Sequence, residues 1–379
     1  MTLHPVSRTH LTQMNARARA ELIIDRVSEA KIVGLGGAKF PTAKKLELAR
    51  TARDLIINGM QSEPDNKSDM ALLQQDPATT LAGVGLVALV CPAETITLAL
   101  PAGMDKALTT AVQSALQTEL NWLNEFGTSR REGRQVYLRP DHSAGEEHKL
   151  ANLLGIVADD PDVNVAPTDN GYPSSRPLTE LSVLCLNLAT CHAIGCAVYN
   201  GEPLSRRMVT LNGDSQWIDF GTPIAQLLTP AWVNGRHGGS ENTNQTVDAG
   251  TFCITDPAPK PDAPCINCAA CRPVCPSNLL PDELYRTSGR GSVPAQLNLE
   301  ACIECGACNA ACPSGLHLTQ QFREAKYLTA KKSRLKADAA KAKTRVQARK
   351  QRLQRDQQAR EEHRNQREAA RTESRNRSW

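Results

Sequence analysis

The stretch CINCAACRPVCP, residues 265–276, places four cysteines within eleven residues and follows the last one with a proline. Thirty-seven residues after Cys265 the pattern returns as CIECGACNAACP, residues 302–313. Cysteines repeated at such short intervals usually bind metal or take part in redox chemistry. The duplication therefore predicts a metal-binding module over residues 265–328.

Both runs have the spacing C-x2-C-x2-C-x3-C-P, which is typical of bacterial ferredoxins that hold two clusters. In that arrangement three cysteines of a run bind one cubane and the fourth binds the other. The spacing thus predicts two [4Fe-4S] clusters with crossed ligand sets. The first set is Cys265, Cys268, Cys271 and Cys312, and the second is Cys275, Cys302, Cys305 and Cys308.

Structural zinc is the alternative interpretation of these cysteines. Zinc motifs usually pair two C-x2-C knuckles across a longer gap, whereas each run here has four cysteines and the same proline. The spacing therefore favours clusters. Five further cysteines lie outside the runs, and we interpret them, with His192 of the segment CHAIGC, as packing residues rather than metal ligands. They are Cys91, Cys185, Cys191, Cys196 and Cys253.

The chain of 379 residues is long enough for two or three domains with their own cores. The first 25 residues contain no apolar core of signal-peptide length. No apolar run reaches the ~18 residues of a membrane span. We therefore expect a soluble or peripheral protein in a reducing compartment, where cysteines bind metal more often than they form disulfides.

The charge is distributed unevenly. Residues 331–379 contain 17 Lys or Arg and 6 Asp or Glu, a net charge of +11, while the remainder has 27 against 34, a net charge of −7. This segment lacks Gly and Pro, and its apolar residues are too sparse for a coiled-coil seam. We expect a long basic helix or a disordered tail that binds an acidic partner or an anionic membrane surface. Nucleic-acid binding is not expected, because no aromatic residues are interleaved with the basic ones.

Short apolar strands alternate with helical segments in the first half of the chain. DLIIN, ETITLALP and QVYLR predict three strands, and the intervening helices predict an α/β nucleotide-binding-like domain with a parallel sheet over residues 21–158. Residues 1–20 form an N-terminal segment in this scheme. A small α+β domain is expected over 177–233, a linker over 234–264 and the tail over 329–379.

A glycine-rich loop, GLGGAKFPTAKKL, occupies residues 34–46. Such a turn before a helix brings backbone N–H groups to a phosphate, but it is equally compatible with a tight turn that binds no ligand. The loop precedes the first clear strand, unlike a G-x-G-x-x-G dinucleotide fingerprint, which follows a strand.

Several segments in fixed order resemble the C subunit of the bacterial Rnf (Rsx) electron-transport complex, over about residues 20–330. They are IVGLGGAKFPTAKKL, LIINGMQSEPDNKSD, GEPLSRRMVTLNGD, GTPIAQLL and the double cysteine run. The resemblance implies a peripheral protein on the cytoplasmic face of the bacterial inner membrane. It also implies that residues 177–233 are soluble-ligand-binding-like, and that the partners are the other Rnf subunits, NADH and ferredoxin-type carriers.

In this family the complex is an ion-translocating NADH:ferredoxin-type oxidoreductase, and relatives of the glycine loop hold flavin mononucleotide (FMN). A flavin suits the chemistry, because nicotinamide transfers a hydride whereas a cubane accepts one electron. The resemblance therefore implies FMN and NADH beside the two clusters. Its cofactor-binding positions fall on Gly34, Gly36, Gly37, Phe40, Thr42, Glu63 and Asp69. No residue is assigned a catalytic role.

The sequence departs from the family pattern at several positions. Lys39 stands where the family usually has glycine, and the second loop reads MQSEPD instead of the family's Ala-Glu-Cys-Glu-Pro-Tyr. The family's N-terminal barrel-like domain has no counterpart, so a start near the second domain is expected. Two other functions stay open: a soluble flavin-dependent reductase resembling cobalamin reductase, and a cluster-bearing scaffold whose nucleotide site has decayed.

Overall fold

The computed structural model divides the chain into a compact unit, residues 1–165 and 174–325, and a second unit that contains residues 326–379. The residues described are 3–37, 39–60, 66–91, 93–126, 132–138, 147, 150–151, 154–156, 178–228, 232–234, 236–237, 245–256, 263–275, 277–289, 293–302, 304 and 306–376.

A four-stranded parallel sheet lies at the centre of the α/β domain. It consists of β1 (Asp54–Asn58), β2 (Thr95–Pro101), β3 (Glu132–Leu138) and β4 (Val183–Asn187), in the order β3-β2-β1-β4. β1, β2 and β4 are almost wholly buried, as expected for parallel strands with helices on both faces. The sequence assigned β4 to the small α+β domain. Instead, its apolar run pairs with β1 in register from Asp54 opposite Val183, and so completes the first sheet.

Helices cover this sheet: α1 (Arg8–Gln13), α2 (Ala16–Glu29), α3 (Thr42–Leu48), α4 (Ser68–Gln75), α5 (Pro77–Val90), α6 (Lys106–Asn124) and α7 (Leu188–Gly195), which a π-turn extends to Asn200. Every residue of α5 from Thr80 to Val90 is buried, as is typical of a central core helix. α4 and α5 are separated only by Asp76, whose carboxylate accepts from the N–H of Thr79 and caps α5. The N-terminal segment also packs on this core, since Leu3, Val6 and Leu11 are buried.

A second sheet of five strands follows. Its members are β5 (Arg206–Leu211), β6 (Asp214–Asp219), β7 (Trp232–Val233), β8 (Arg236–His237) and β9 (Cys253–Thr255), in the order β6-β5-β9-β7-β8, with the short helix α8 (Ile224–Leu227). β8 and β9 lie in the segment expected to be a linker. β9 forms there because its short apolar run, Cys253–Thr255, pairs in parallel with β5 and buries Ile254.

The cysteine module contains α9 (Pro281–Ser288), two short 3-10 turns and α10 (Ala307–Ala311). It has its own core, in which Leu284 and Phe322 pack with Cys271, Cys308 and Cys312. The last helix, α11 (Leu318–Asn376), begins in this core and continues for 59 residues in all. Within the described residues, no helix combines the length and apolar character of a membrane span.

Candidate cofactor sites

The glycine loop closes on itself before α3. Val33 forms a β-bridge with Pro41, and the N–H of Gly34 donates to the carbonyl of Phe40 at 2.8 Å. Gly37, at the tip, has a φ of 107°, which side chains rarely allow. The N–H of Leu35 donates to Thr190 Oγ1 at 3.0 Å. The loop is therefore fixed to the helix that follows β4.

The loop lies at the carboxyl edge of the parallel sheet, where α/β proteins usually bind ligands. Asn187, the last residue of β4, donates from Nδ2 to Asp69 Oδ2 at 2.6 Å. A Cβ added to Gly36 would stand 3.7 Å from the Asn187 Cβ. Asn187 therefore connects two of the expected cofactor positions, Gly36 and Asp69. Burial raises the pKa of Asp69, against the opposing effects of the Asn187 hydrogen bond and the charge of Arg207.

Two buried hydroxyls are available for a polar ligand. Thr42 Oγ1 and Ser68 Oγ have no hydrogen-bond partner among the described residues, and each residue is only 1% exposed. Thr42 begins α3 after the glycine loop, and Ser68 begins α4 after the second loop. Buried polar atoms normally have partners, so each of these hydroxyls is a candidate partner for a bound polar group such as a flavin phosphate. Phe40 is 44% exposed, and Glu63 lies outside the described residues.

Lys39 has a backbone conformation that glycine adopts readily and other residues adopt rarely. Its φ is 53°, in the left-handed region. Its Nζ pairs with Asp248 Oδ2 at 2.8 Å, in the segment before β9. Burial on its own would raise the pKa of Asp248, but hydrogen bonds from Lys39 and from the N–H of Gly250 hold that pKa below its usual range. The ammonium group is thus engaged by the second sheet's domain.

A cavity of about 310 Å³ is lined by Leu35, His192, Cys196 and Trp217, among others. His192 Nε2 is 3.5 Å from Asp76 Oδ2, and burial lowers the pKa of the imidazole. Burial raises the pKa of Cys196 to about 12, so its thiol stays protonated and unreactive. Across the described parts of the chain, no three His, Cys, Asp or Glu side chains are placed to share a metal ion.

In the cysteine module, the fourth cysteine of the first run lies beside the second run. Cys275, Cys302 and Cys308 line one cavity, together with Glu304 and Phe322. The N–H of Leu279 donates to Cys275 Sγ at 3.4 Å. The fourth predicted member of this set, Cys305, lies outside the described residues.

The cysteines predicted to bind the first cluster lie in different environments. Cys271 and Cys312 are buried in the module's apolar core, and Cys265 packs against it. Cys268 is exposed. The first run therefore presents one of its predicted ligands to solvent.

The two runs share an unusual backbone. Asn267 and Glu304, which precede the second cysteine of their runs, both have a φ of 57°. Ala269 and Gly306, which follow that cysteine, have φ values of 55° and 81°. Left-handed residues turn consecutive N–H groups toward one concave side, an arrangement that recurs around iron–sulfur sites. The equivalence extends past the fourth cysteines, where Asn278 has a φ of 50° and Gly315 one of 72°.

The chain matches two domain families. Residues 27–195 match the Nuo51 FMN-binding domain. Residues 264–316 match the 4Fe-4S dicluster domain. These matches confirm the two cofactor classes predicted from the sequence, FMN and [4Fe-4S] clusters.

Curated proteins give a second comparison. The C subunit of the ion-translocating oxidoreductase complex of Haemophilus influenzae strain 86-028NP is 30% identical in an alignment 290 positions long, which covers 70% of this chain and 40% of that protein. Its counterpart in Erwinia tasmaniensis is 32% identical in an alignment 302 positions long, which covers 72% of this chain and 34% of that protein. The chain is related to the C subunit of ion-translocating oxidoreductase complexes. It spans well under half the length of these relatives.

A solved structure shares the fold of this chain. It is an NAD⁺-reducing [NiFe]-hydrogenase in the H2-reduced state, with a TM-score of 0.57 and 18% identity, covering 86% of this chain and 65% of that chain. The likeness thus extends over both the α/β domain and the regions that follow it.

Sequence patterns did not predict four residues of the candidate nucleotide site: Ser68, Asn187, Thr190 and Asp248. The role of Asn187 could have been predicted, because an asparagine between an apolar strand and a helix often caps the helix. In the structure its side chain accepts from the N–H of Ala189. Asp248 carried none, since its partner Lys39 is 209 residues away in the chain.

Proposed function

We propose that this chain is the electron-transfer subunit of an Rnf-type membrane complex, passing electrons between an NADH- and FMN-binding site and membrane partners through two [4Fe-4S] clusters. One observation carries the proposal. A single compact unit joins an FMN-binding fold to a cysteine module in which Cys275 shares a cavity with Cys302 and Cys308. The spacing of these cysteines along the chain is that of iron–sulfur cluster ligands, and such clusters serve one-electron transfer.

At the nucleotide site, the residues that would hold FMN are the backbone of Gly36 and Gly37 and the unpartnered hydroxyls of Thr42 and Ser68. Asn187 and Asp69 form a fixed polar wall at the same edge of the sheet. When bound, FMN supplies the change from hydride transfer to single-electron transfer. Gly34 and Phe40 then close the loop through their backbone hydrogen bond.

At the cysteine module we assign the ligands by the crossed pattern. The first cluster is held by Cys265, Cys268, Cys271 and Cys312, and the second by Cys275, Cys302, Cys305 and Cys308. The cavity lined by Cys275, Cys302 and Cys308 supports the second set. The exposure of Cys268 places the first set nearer to solvent.

The partners follow from the chemistry and the charge. NADH delivers the hydride, ferredoxin-type carriers and the other Rnf subunits exchange single electrons, and the complex couples this flow to ion translocation at the cytoplasmic face of the inner membrane. The tail supports peripheral attachment, because residues 331–379 carry a net charge of +11 and the described side chains of this segment are exposed. Such a helix is attracted to anionic lipid or to an acidic protein of the complex.

Lys39 favours a second candidate, a cluster-bearing scaffold without flavin. Its Cβ stands at a loop position that the family leaves as glycine, and its ammonium group is occupied by Asp248. If the loop has lost its ligand, the clusters would still relay electrons from an external donor.

Cofactor analysis of anaerobically purified, full-length protein separates the two candidates. We expect one FMN per chain, with about eight irons and eight acid-labile sulfides for two cubanes. Eight irons without flavin, even after incubation with FMN, would select the scaffold. Stoichiometric zinc without sulfide would refute both.

A further inference from the structure

The duplication in the cysteine module includes the helices behind the two runs. Arg286 of α9 lies 21 residues after Cys265, and Arg323 of α11 lies 21 residues after Cys302. Each arginine contacts the left-handed residue that precedes the second cysteine of its own run. Arg286 Nη1 donates to Asn267 Oδ1 at 3.5 Å, and Arg323 Nε donates to Glu304 Oε2 at 2.8 Å. The two contacts are equivalent in position.

The charges at the two contacts differ. Asn267 is neutral, and Arg286 Nη2 lies 3.6 Å from Asp282, so this guanidinium group also faces a carboxylate. Glu304 is charged, its side chain is only 18% exposed, and it lines the cavity of Cys275, Cys302 and Cys308. The second run therefore has an ion pair where the first has a weak neutral contact.

Arg323 also has an unused donor. Its Nη2 atom is buried and has no hydrogen-bond partner among the described residues, while the side chain as a whole is 40% exposed. A buried charged donor without an acceptor is strongly unfavourable, and such a group is often explained by a ligand or ion. Cluster and thiolate sulfurs carry negative charge and accept hydrogen bonds, and these bonds are among the factors that set a cluster's reduction potential.

We infer that Arg323, held in place by Glu304, is a positioning residue that raises the reduction potential of the second cluster. Reduction adds one negative charge to a cluster, so a nearby cation and an N–H donor favour the reduced form. Glu304 opposes the effect through its own charge, but it lines the ligand cavity and holds the guanidinium group of Arg323 at 2.8 Å from its own carboxylate. The inference rests on the proposed function, because it requires the second cluster at Cys275, Cys302, Cys305 and Cys308.

A redox titration of the full-length, cluster-loaded protein, followed by electron paramagnetic resonance, tests this inference. In Arg323→Gln we expect one of the two midpoint potentials to fall by about 59 mV, the equivalent of a tenfold change for one electron. The other midpoint should stay in place. Arg286→Gln is the matched control and should move both midpoints less, because Arg286 is more exposed and faces Asp282.

Two further variants keep the inference falsifiable if Arg323→Gln fails to assemble its cluster. Arg323→Lys retains the charge and should keep most of the wild-type potential. Glu304→Gln retains an acceptor for Arg323 Nε but removes the negative charge, so one midpoint should rise. Unchanged midpoints in Glu304→Gln, or equal shifts in Arg323→Gln and Arg286→Gln, would overturn the inference. Absence of clusters from the wild-type protein would instead refute the proposed function.

Discussion

The glycine loop and the cysteine module both depend on left-handed backbone, but they fill those positions differently. The cysteine runs place Asn267, Ala269 and Gly306 there and keep the full C-x2-C-x2-C-x3-C pattern in both copies. The glycine loop has Lys39 at such a position and ties it to Asp248. Four thiolate ligands define each cluster site almost independently of the residues between them. A loop that binds its ligand through the backbone depends instead on every position. The two sites therefore differ in how far sequence spacing specifies them.

The largest expected effect is the loss of a whole cluster, and it tests the cysteine side of the comparison. Cys275→Ala should damage the cluster of Cys302 and Cys308, because these three residues line one cavity. Its electron paramagnetic resonance spectrum should match that of Cys302→Ala. Cys312→Ala is the reciprocal control and should match Cys265→Ala. If Cys275→Ala and Cys265→Ala damage the same cluster, the crossed assignment is wrong.

Two truncations locate the end of the cysteine module. Deleting residues 318–379 removes Phe322 from the module's core and Thr319, whose hydroxyl accepts from Asn309 Nδ2 at 2.8 Å. We expect this protein to lose its second cluster. Deleting only 331–379 removes the +11 charge but leaves that core, so iron and sulfide content should persist.

The shorter truncation also tests attachment. Electrostatic docking is screened within about 10 Å at 0.1 M salt, so full-length protein should co-sediment with anionic vesicles at low salt and dissociate as salt rises. The protein lacking 331–379 should sediment less at low salt. Equal sedimentation of the two forms would show that the tail has no docking role.

At the glycine loop the expected effects are smaller, about tenfold in affinity or less. Lys39→Gly removes a Cβ from a left-handed position and should strengthen FMN binding, as measured by quenching of flavin fluorescence. Lys39→Glu should weaken binding by about tenfold, roughly 1.4 kcal/mol, through repulsion of the phosphate. Asp248→Asn is the control, because it releases the ammonium group without changing the loop. Loss of FMN binding in Lys39→Gly would mean that Lys39 itself holds the phosphate.

The smallest expected effect is a change in stability at two equivalent positions of the cysteine runs. A non-glycine residue in the left-handed region costs roughly 1–2 kcal/mol, partly offset by the greater unfolded-state freedom of glycine. Gly306→Ala should therefore destabilise the module by about 1 kcal/mol, and Ala269→Gly should stabilise it by up to about the same amount. The midpoint of thermal bleaching of cluster absorbance measures both. Shifts of the same sign would contradict the shared backbone of the two runs.

The sequence predicted those parts of the fold that depend on neighbours in the chain. Apolar runs such as DLIIN located the strands, and cysteine spacing alone identified the cluster module. The pairing of β4 with β1 was missed, because the α/β domain was expected to end at residue 158, before β4. Parallel pairing between strands far apart in sequence leaves no periodic signal.

The candidate nucleotide site shows the same limit. Gly37, Thr42 and Asp69 could be proposed from the sequence because they lie in the local motifs that carry the family resemblance. Asn187 joins them only because β4 ends beside the glycine loop, and Asp248 reaches Lys39 from a different sheet. Such contacts follow from tertiary packing, so a single sequence does not reveal them.

The central claim is that electrons pass from the nucleotide site to the clusters within this chain. The most direct test is anaerobic addition of NADH to FMN-reconstituted protein, followed by absorbance and electron paramagnetic resonance. We predict that flavin and cluster signals both become reduced, and that the protein without FMN shows neither change. Clusters that dithionite reduces but NADH does not, with FMN bound, would contradict the account.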